Sequence, residues 1–142
     1  MNIIWKVNET GGFILNENCV FCYPNIETDQ QIIFSHSSCM FLQLKSAQRE
    51  GVALNGAGVI VPKQHRETVF DLTSQEWEDT FELLKQVKNW LDTTLQPAGY
   101  NIGWNCGSVA GQHIPHAHMH VLPRYEHEEM AGKGIRYLFK NQ

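Results

Sequence analysis

The sequence is short of several things, and each absence narrows what the protein does. It has no apolar run near the roughly 18 residues that a membrane span needs, so no membrane is expected. It has no cationic excess: 11 lysines and arginines face 15 aspartates and glutamates, for a net charge of −4. A general nucleic-acid binder carries a basic face, so no nucleic acid is expected as a partner. No repeat and no low-complexity linker interrupts the 142 residues, which predicts a single domain spanning 1–142. At 42% hydrophobic and 18% charged residues, the composition excludes a disordered chain. The stretch Met1–Lys6 lacks the apolar core of an export leader. A cytoplasmic protein with reduced thiols is therefore expected, and Cys19, Cys22, Cys39 and Cys106 are not read as two disulfides.

What is present gives an α+β pattern. Gly11-Gly12 reads as a turn, and Gln31–Ser35 with Cys39–Leu44 as a strand pair. Lys45–Asn55 is polar and reads as a loop, and Gly58–Val61 as a β-branched strand. A helix is predicted from Ser74 to Leu95. Thr73 and Glu76 have capping-box spacing, and Pro97 and Gly99 follow its end. Its Trp77, Phe81, Leu84, Val87, Leu91 and Leu95 recur at three- and four-residue steps and predict one apolar core face. Tyr100–Trp104 and Ile114–Leu122 read as the last strands, with Pro123-Arg124 stopping the second. The tail with Gly132-Lys133-Gly134 has no clear assignment. Several strands around one long helix predict a mainly antiparallel sheet.

Four of the seven histidines fall between positions 113 and 120. Alternation in a strand sends His116, His118 and His120 to one face and Ala117, Met119 and Val121 to the other. His113 then falls off the row's face. A row of imidazoles suits metal binding or general acid–base and nucleophilic work. A neutral imidazole is a good nucleophile toward phosphorus, because it adds no negative charge to an anionic centre. The preceding loop, Asn105–Gln112, carries Gly107 and Gly111, which permit a tight turn whose N–H groups could cradle an anion.

Cys19-x2-Cys22 has the spacing of a zinc-ligand pair. His65 and His116 are the candidates for its distant partners. Four protein ligands leave no open position, so such a zinc is structural. A reduced dithiol is the plainer alternative.

Gly111-Gln112-His113-Ile114-Pro115-His116-Ala117-His118-Met119-His120-Val121-Leu122-Pro123-Arg124 resembles the signature of the histidine triad (HIT) family. Val59-Ile60-Val61-Pro62-Lys63-Gln64-His65 is similar to that family's Pro-Lys-x-His segment. The resemblance covers roughly residues 17–125. It implies a HIT-like α+β fold, with a mainly antiparallel five-stranded sheet, one long helix and a shorter helical segment, usually in a homodimer. It implies hydrolysis or transfer at a nucleotide α-phosphorus, with His118 as nucleophile forming a nucleotidyl-histidine. His120 would contact phosphate and manage the proton, and His116 would orient the row. Asn105, Gly111 and Gln112 fall where the family contacts phosphate or leaving group, and Gln43 is the nearest match to its ribose contact. Members with zinc use the positions of Cys19, Cys22, His65 and His116. His120, where transferases typically carry glutamine, points to a hydrolase of nucleoside phosphoramidates or dinucleoside polyphosphates. No organic cofactor is implied. A zinc-stabilised nucleotide- or partner-binding module is the alternative, and a catalytic metal held by all three triad histidines is a third reading.

Overall fold

Helix α1, Ser74–Thr94, begins where the capping-box spacing predicts. The Thr73 hydroxyl accepts the Glu76 N–H at 3.1 Å, and the Glu76 carboxylate accepts the Thr73 N–H at 2.7 Å. These bonds satisfy two N–H groups that a helix start leaves open, worth about 1 kcal/mol. In this computed structural model the described residues are 5–7, 13–49 and 54–139. The expected Gly11-Gly12 turn and residues 50–53 of the expected loop lie outside them.

Strands β1 (Trp5–Val7) and β2 (Phe13–Asn16) pair as a short antiparallel ribbon. The main sheet contains β3 (Gln30–Ser35), β4 (Cys39–Leu44), β5 (Gly58–Pro62), β6 (Gly99–Trp104) and β7 (Met119–Arg124). Its order is β3-β4-β5-β7-β6, antiparallel throughout, which is the expected fold class. The shorter helical segment is met by 3-10 turns, the longest at Ile135–Phe139. Among the described residues no helix is long and apolar enough to cross a membrane.

Strand alternation divides the apolar residues between two cores. Cys39, Phe41, Ile60, Met119 and Val121 face α1 and pack with Leu83, Val87 and Leu91. Met40, Leu42 and Val61 point the other way, onto Cys19 and Phe21. The histidine row belongs to this second side.

Two sequence expectations need correction. The helix face that meets the sheet is Glu76, Thr80, Leu83, Val87 and Leu91, with Asp79 also buried. Trp77 and Phe81 are 48% and 57% exposed. The first turns of α1 bury polar groups because each finds partners. Glu76 pairs with Arg66 Nε at 2.9 Å, and Asp79 accepts the Ser38 hydroxyl at 2.5 Å and the Ser37 hydroxyl at 3.2 Å. The last strand also begins later than Ile114, at Met119, and it continues through Pro123 and Arg124. Pro115 cannot donate to a ladder, and the backbone beside it turns inward. His116 N–H reaches Ile114 O at 2.8 Å, and Ala117 N–H reaches Arg66 O at 2.6 Å. Pro123 is tolerated near the end of β7, beyond the part paired with β5.

Candidate active site and metal centre

His116 and His118 precede β7 on a segment held to the Arg66 backbone, and His120 lies within β7. Glu76 bridges the Thr73 N–H and the Arg66 side chain, so the start of α1 steadies the run that carries the histidines. His116 is fully buried, His118 is 7% exposed, and His120 is half-buried. The rings of His118 and His120 are 5.0 Å apart, and Phe21 covers His118 at 5.2 Å.

Two backbone carbonyls fix the ring tautomers. A carbonyl oxygen only accepts, so the ring nitrogen facing it carries the hydrogen. His116 Nε2–H donates to Pro62 O at 2.8 Å, which leaves Nδ1 with a lone pair. His118 Nδ1–H donates to His116 O at 2.8 Å, which leaves Nε2 with the lone pair. Burial lowers the pKa of His118, against the opposing pull of its bond to His116 O. Burial, and then the neighbouring His118, lower that of His120. Both rings therefore favour the neutral form.

His116 points its free Nδ1 at a cluster. Cys19 Sγ is 3.3 Å from it, Cys22 Sγ 3.5 Å and His65 Nδ1 3.3 Å. His65 Nδ1 also lies 3.2 Å from Cys22 Sγ. All four ligand atoms fall within 4.8 Å of one another, so the group could hold a metal ion. The two thiols compete for one proton. The hydrogen bond from Cys22 lowers the pKa of Cys19, and the same contact raises that of Cys22. A cation between them would favour both thiolates.

The structure brings together Cys19, Cys22, His65 and His116 as one group, and His118 and His120 as a second beside it. Gly107 and Gly111 have φ of +90° and +97°, the left-handed backbone that glycine supplies without strain. The loop turns as expected, yet the N–H groups of Gly107, Ala110, Gly111 and Gln112 are all bonded within it. Gln112 is a brace: its Oε1 accepts Gly107 N–H at 2.8 Å, and its Nε2 donates to Glu67 O at 2.7 Å and Ile114 O at 3.0 Å. Asn105 is exposed and shares a cleft with His120. Gln43 stands apart from the row. It shares its parity along β4 with Cys39 and Phe41, on the α1 side of the sheet, and its Nε2 donates to Gly56 O at 3.0 Å. His113 is exposed, and its charge disfavours a proton on His118.

Sequence reasoning missed Phe21, the Pro62 and His116 carbonyls, and the segment 134–138 beside His120. Phe21 lies between the two cysteines in the sequence, which could have flagged it. Backbone carbonyls leave no residue-type signal, and the tail has no periodicity.

Paired imidazoles with one free Nε2, beside a buried sulfur–nitrogen cluster, define a histidine-based site on an antiparallel α+β scaffold. The HIT domain profile matches residues 25–127. The chain belongs to the HIT domain family. An adenosine 5'-monophosphoramidase of Schizosaccharomyces pombe is 29% identical over 79 residues, covering 56% of each chain. A bis(5'-nucleosyl)-tetraphosphatase of the same organism is 32% identical over 71 residues, 50% of this chain and 39% of that one. The chain thus aligns with about half the length or less of these curated relatives. The crystal structure of a HIT family protein from Bacillus anthracis superposes with a TM-score of 0.66 at 25% identity, covering 78% of this chain and 76% of that one.

Proposed function

We propose that the protein hydrolyses a nucleotide derivative at its α-phosphorus, through a nucleotidyl intermediate on His118. The observation that carries this reading is the His118 Nδ1–H bond to His116 O, which presents a neutral Nε2 lone pair beside His120. Nε2 attacks phosphorus, and the bond from phosphorus to the departing nitrogen or oxygen breaks with its electron pair on that atom. The departing atom takes a proton from His120, whose basicity rises when the anionic phosphate arrives. Water then attacks phosphorus and passes a proton to His120. The bond from phosphorus to Nε2 breaks and returns the lone pair to His118. Asn105, which shares a cleft with His120, is read as a phosphate or leaving-group contact, and the Gly111–Gln112 turn as a second one. Gln43 on the α1 side is not assigned a sugar contact. Phosphoramidates and dinucleoside polyphosphates are the substrate classes suggested by the two Schizosaccharomyces relatives.

Cys19, Cys22, His65 and His116 would hold zinc. Zinc bond lengths of about 2.3 Å to sulfur and 2.0–2.1 Å to nitrogen give tetrahedral nitrogen–nitrogen and sulfur–nitrogen distances of about 3.3–3.6 Å. Here the His65 and His116 nitrogens are 3.3 Å apart, and the Cys19–His116, Cys22–His116 and Cys22–His65 sulfur–nitrogen pairs are 3.2–3.5 Å apart. The His116 Nε2–H bond to Pro62 O is the outer bond that orients a ligating imidazole. Such an ion would tie the cysteine turn to the histidine run and would be structural.

The chain is further proposed to act in the cytoplasm and to pair with a second copy. β6 is an edge strand, and Trp77, Phe81 and Ile102 leave apolar surface near it, where Trp77 meets Trp104 at 5.9 Å. Sedimentation should give a dimer mass, and Trp77→Asp should lower it to the monomer.

The activity test sets adenosine 5'-phosphoramidate and diadenosine polyphosphates before wild type and His118→Ala. Hydrolysis by wild type alone supports the reading. Equal rates in the two would sink it.

A further inference from the structure

The face of the sheet that carries α1 holds a cavity of its own, turned away from the histidine row. Gln31 and Gln43 stand opposite each other on β3 and β4 and share this face. The end of α1 supplies Trp90 and Leu95, and the loop after β4 supplies Arg49 and Asn55. The volume is about 960 Å³, within the range of about 300–1,000 Å³ usual for small-molecule sites.

The frame of the cavity is firmly bonded. Gln48 Oε1 accepts the Gly56 N–H at 2.7 Å, and its Nε2 donates to Ala57 O at 3.2 Å. Gln43 Nε2 donates to Gly56 O at 3.0 Å, and the Tyr125 hydroxyl donates to Asn55 O at 2.6 Å. Gly56 lies so close to the end of α1 that a Cβ there would be 2.7 Å from Leu95 Cδ1. Leu54, two residues before it, has φ of +60°, a left-handed backbone that leucine seldom adopts. Such residues gather at ligand sites, where the surrounding bonds hold them in place. Within this frame other lining groups are uncommitted. Among the described residues no hydrogen bond or ion pair occupies the side chains of Gln31, Arg49 and Asn55.

The walls suit a ring and an anion together. The rings of Tyr125 and His127 are 5.4 Å apart at 34°, and Phe34 and Phe41 hold Trp90 edge-on. The open amides of Gln31 and Asn55 match hydroxyl groups and ring nitrogens. The Arg49 guanidinium is a planar fork that fits phosphate oxygens in pairs. Among the described residues no aspartate or glutamate lines the cavity, although the chain carries a net charge of −4. Glu128, beside His127 in the sequence, turns to Arg124 instead. We propose that this cavity is a second binding site, for a phosphorylated ring compound of the class of nucleoside or sugar monophosphates. Arg49 takes the phosphate, and Trp90, Tyr125 and His127 border the ring. The sheet separates the site from the histidine row, so its occupancy does not depend on chemistry at His118.

Two indole N–H signals in the labelled protein distinguish the faces, since Trp90 lines this cavity and Trp104 lines the cleft of His120. Adenosine 5'-monophosphate, ribose 5-phosphate, adenosine and inorganic phosphate are each titrated to about 1 mM. Trp90 should move and saturate with at least one of the two phosphate esters, with at least about 10-fold weaker binding of adenosine and of inorganic phosphate. The tighter of the two esters tells a nucleotide from a sugar phosphate. Arg49→Glu should weaken the Trp90 response at least about 10-fold, the loss of one charge-assisted bond, and leave that of Trp104 within about 2-fold. Arg49 is exposed, and a melting curve checks that the variant is folded; if it is not, Gln31→Ala decides, with a loss of about 5-fold or more. A Trp90 signal unmoved by both esters, or moved equally well by adenosine or by inorganic phosphate, would overturn the site. So would an Arg49→Glu variant that binds as wild type does, because the Trp90 shift would then not come from a phosphate held at Arg49.

Discussion

His116 and His118 are two residues apart, both buried, and both bonded to a backbone carbonyl at 2.8 Å, yet they face opposite tasks. His116 gives its Nε2–H to Pro62 O and keeps Nδ1 for Cys19, Cys22 and His65. His118 gives its Nδ1–H to His116 O and keeps Nε2 for the cleft. The residue type is the same, and the position of one carbonyl sets which nitrogen is basic. The backbone links the two: the carbonyl that orients His118 belongs to His116 itself. An anchored His116 therefore sets the aim of His118.

Removing either histidine group should separate these tasks, and the largest effect belongs to the reactive half. His118→Ala should reduce turnover at least about 10³-fold, since the proposed nucleophile has no substitute. Its melting temperature and metal content should stay near wild type. A comparable loss of metal in that variant would erase the division. The anchoring half should show the reverse balance. Wild type should carry about one zinc per chain, and Cys22→Ser should lose it and lower the melting temperature by on the order of 10 °C. A metal-free wild type of unchanged stability would contradict the anchor. A smaller effect is expected at the brace on the histidine run. Glu76→Ala removes the helix cap and the Arg66 partner together, at a cost of about 2 kcal/mol, or roughly 4–8 °C. Thermal melts of that variant measure it, and an unchanged midpoint would show that the cap carries no strain from the site.

The subtlest expectation concerns protons on the reactive side. Burial and His118 lower the His120 pKa, so at pH 6.5 His120 should be more than half neutral. Because the folded value lies below the unfolded one, the fold gains from deprotonation. That contribution is present above the ordinary value near 6.5 and is lost as pH falls through the folded value. An NMR titration of His120 should give a midpoint below 6.5. A midpoint above 6.5 would mean that the site stabilises the cation even without substrate.

The legible parts of the fold were those with local rules. Thr73 and Glu76 announced the start of α1, and Cys39–Leu44 matched β4 to the residue. Cys19-x2-Cys22 was legible as half of a ligand group, and the fold brings His65 and His116 to the cysteines. The errors arose where partners far away in sequence decide. Trp77 and Phe81 fit an apolar stripe, but Arg66, Ser37 and Ser38 let Glu76 and Asp79 take the inner face instead. Next-but-one histidines read as a strand from Ile114, although Ala117 bonds to Arg66 and the ladder begins only at Met119. The tail at 134–138 had no pattern to read, since its position depends on Arg124 reaching carbonyls six and nine residues further on.

The most direct test of the account is the tautomer of each histidine, read from long-range nitrogen–proton correlations in labelled protein. The prediction is opposite tautomers two residues apart: hydrogen on Nε2 of His116 and on Nδ1 of His118. A hydrogen on Nε2 of His118 would occupy the lone pair proposed to attack phosphorus, and would contradict it.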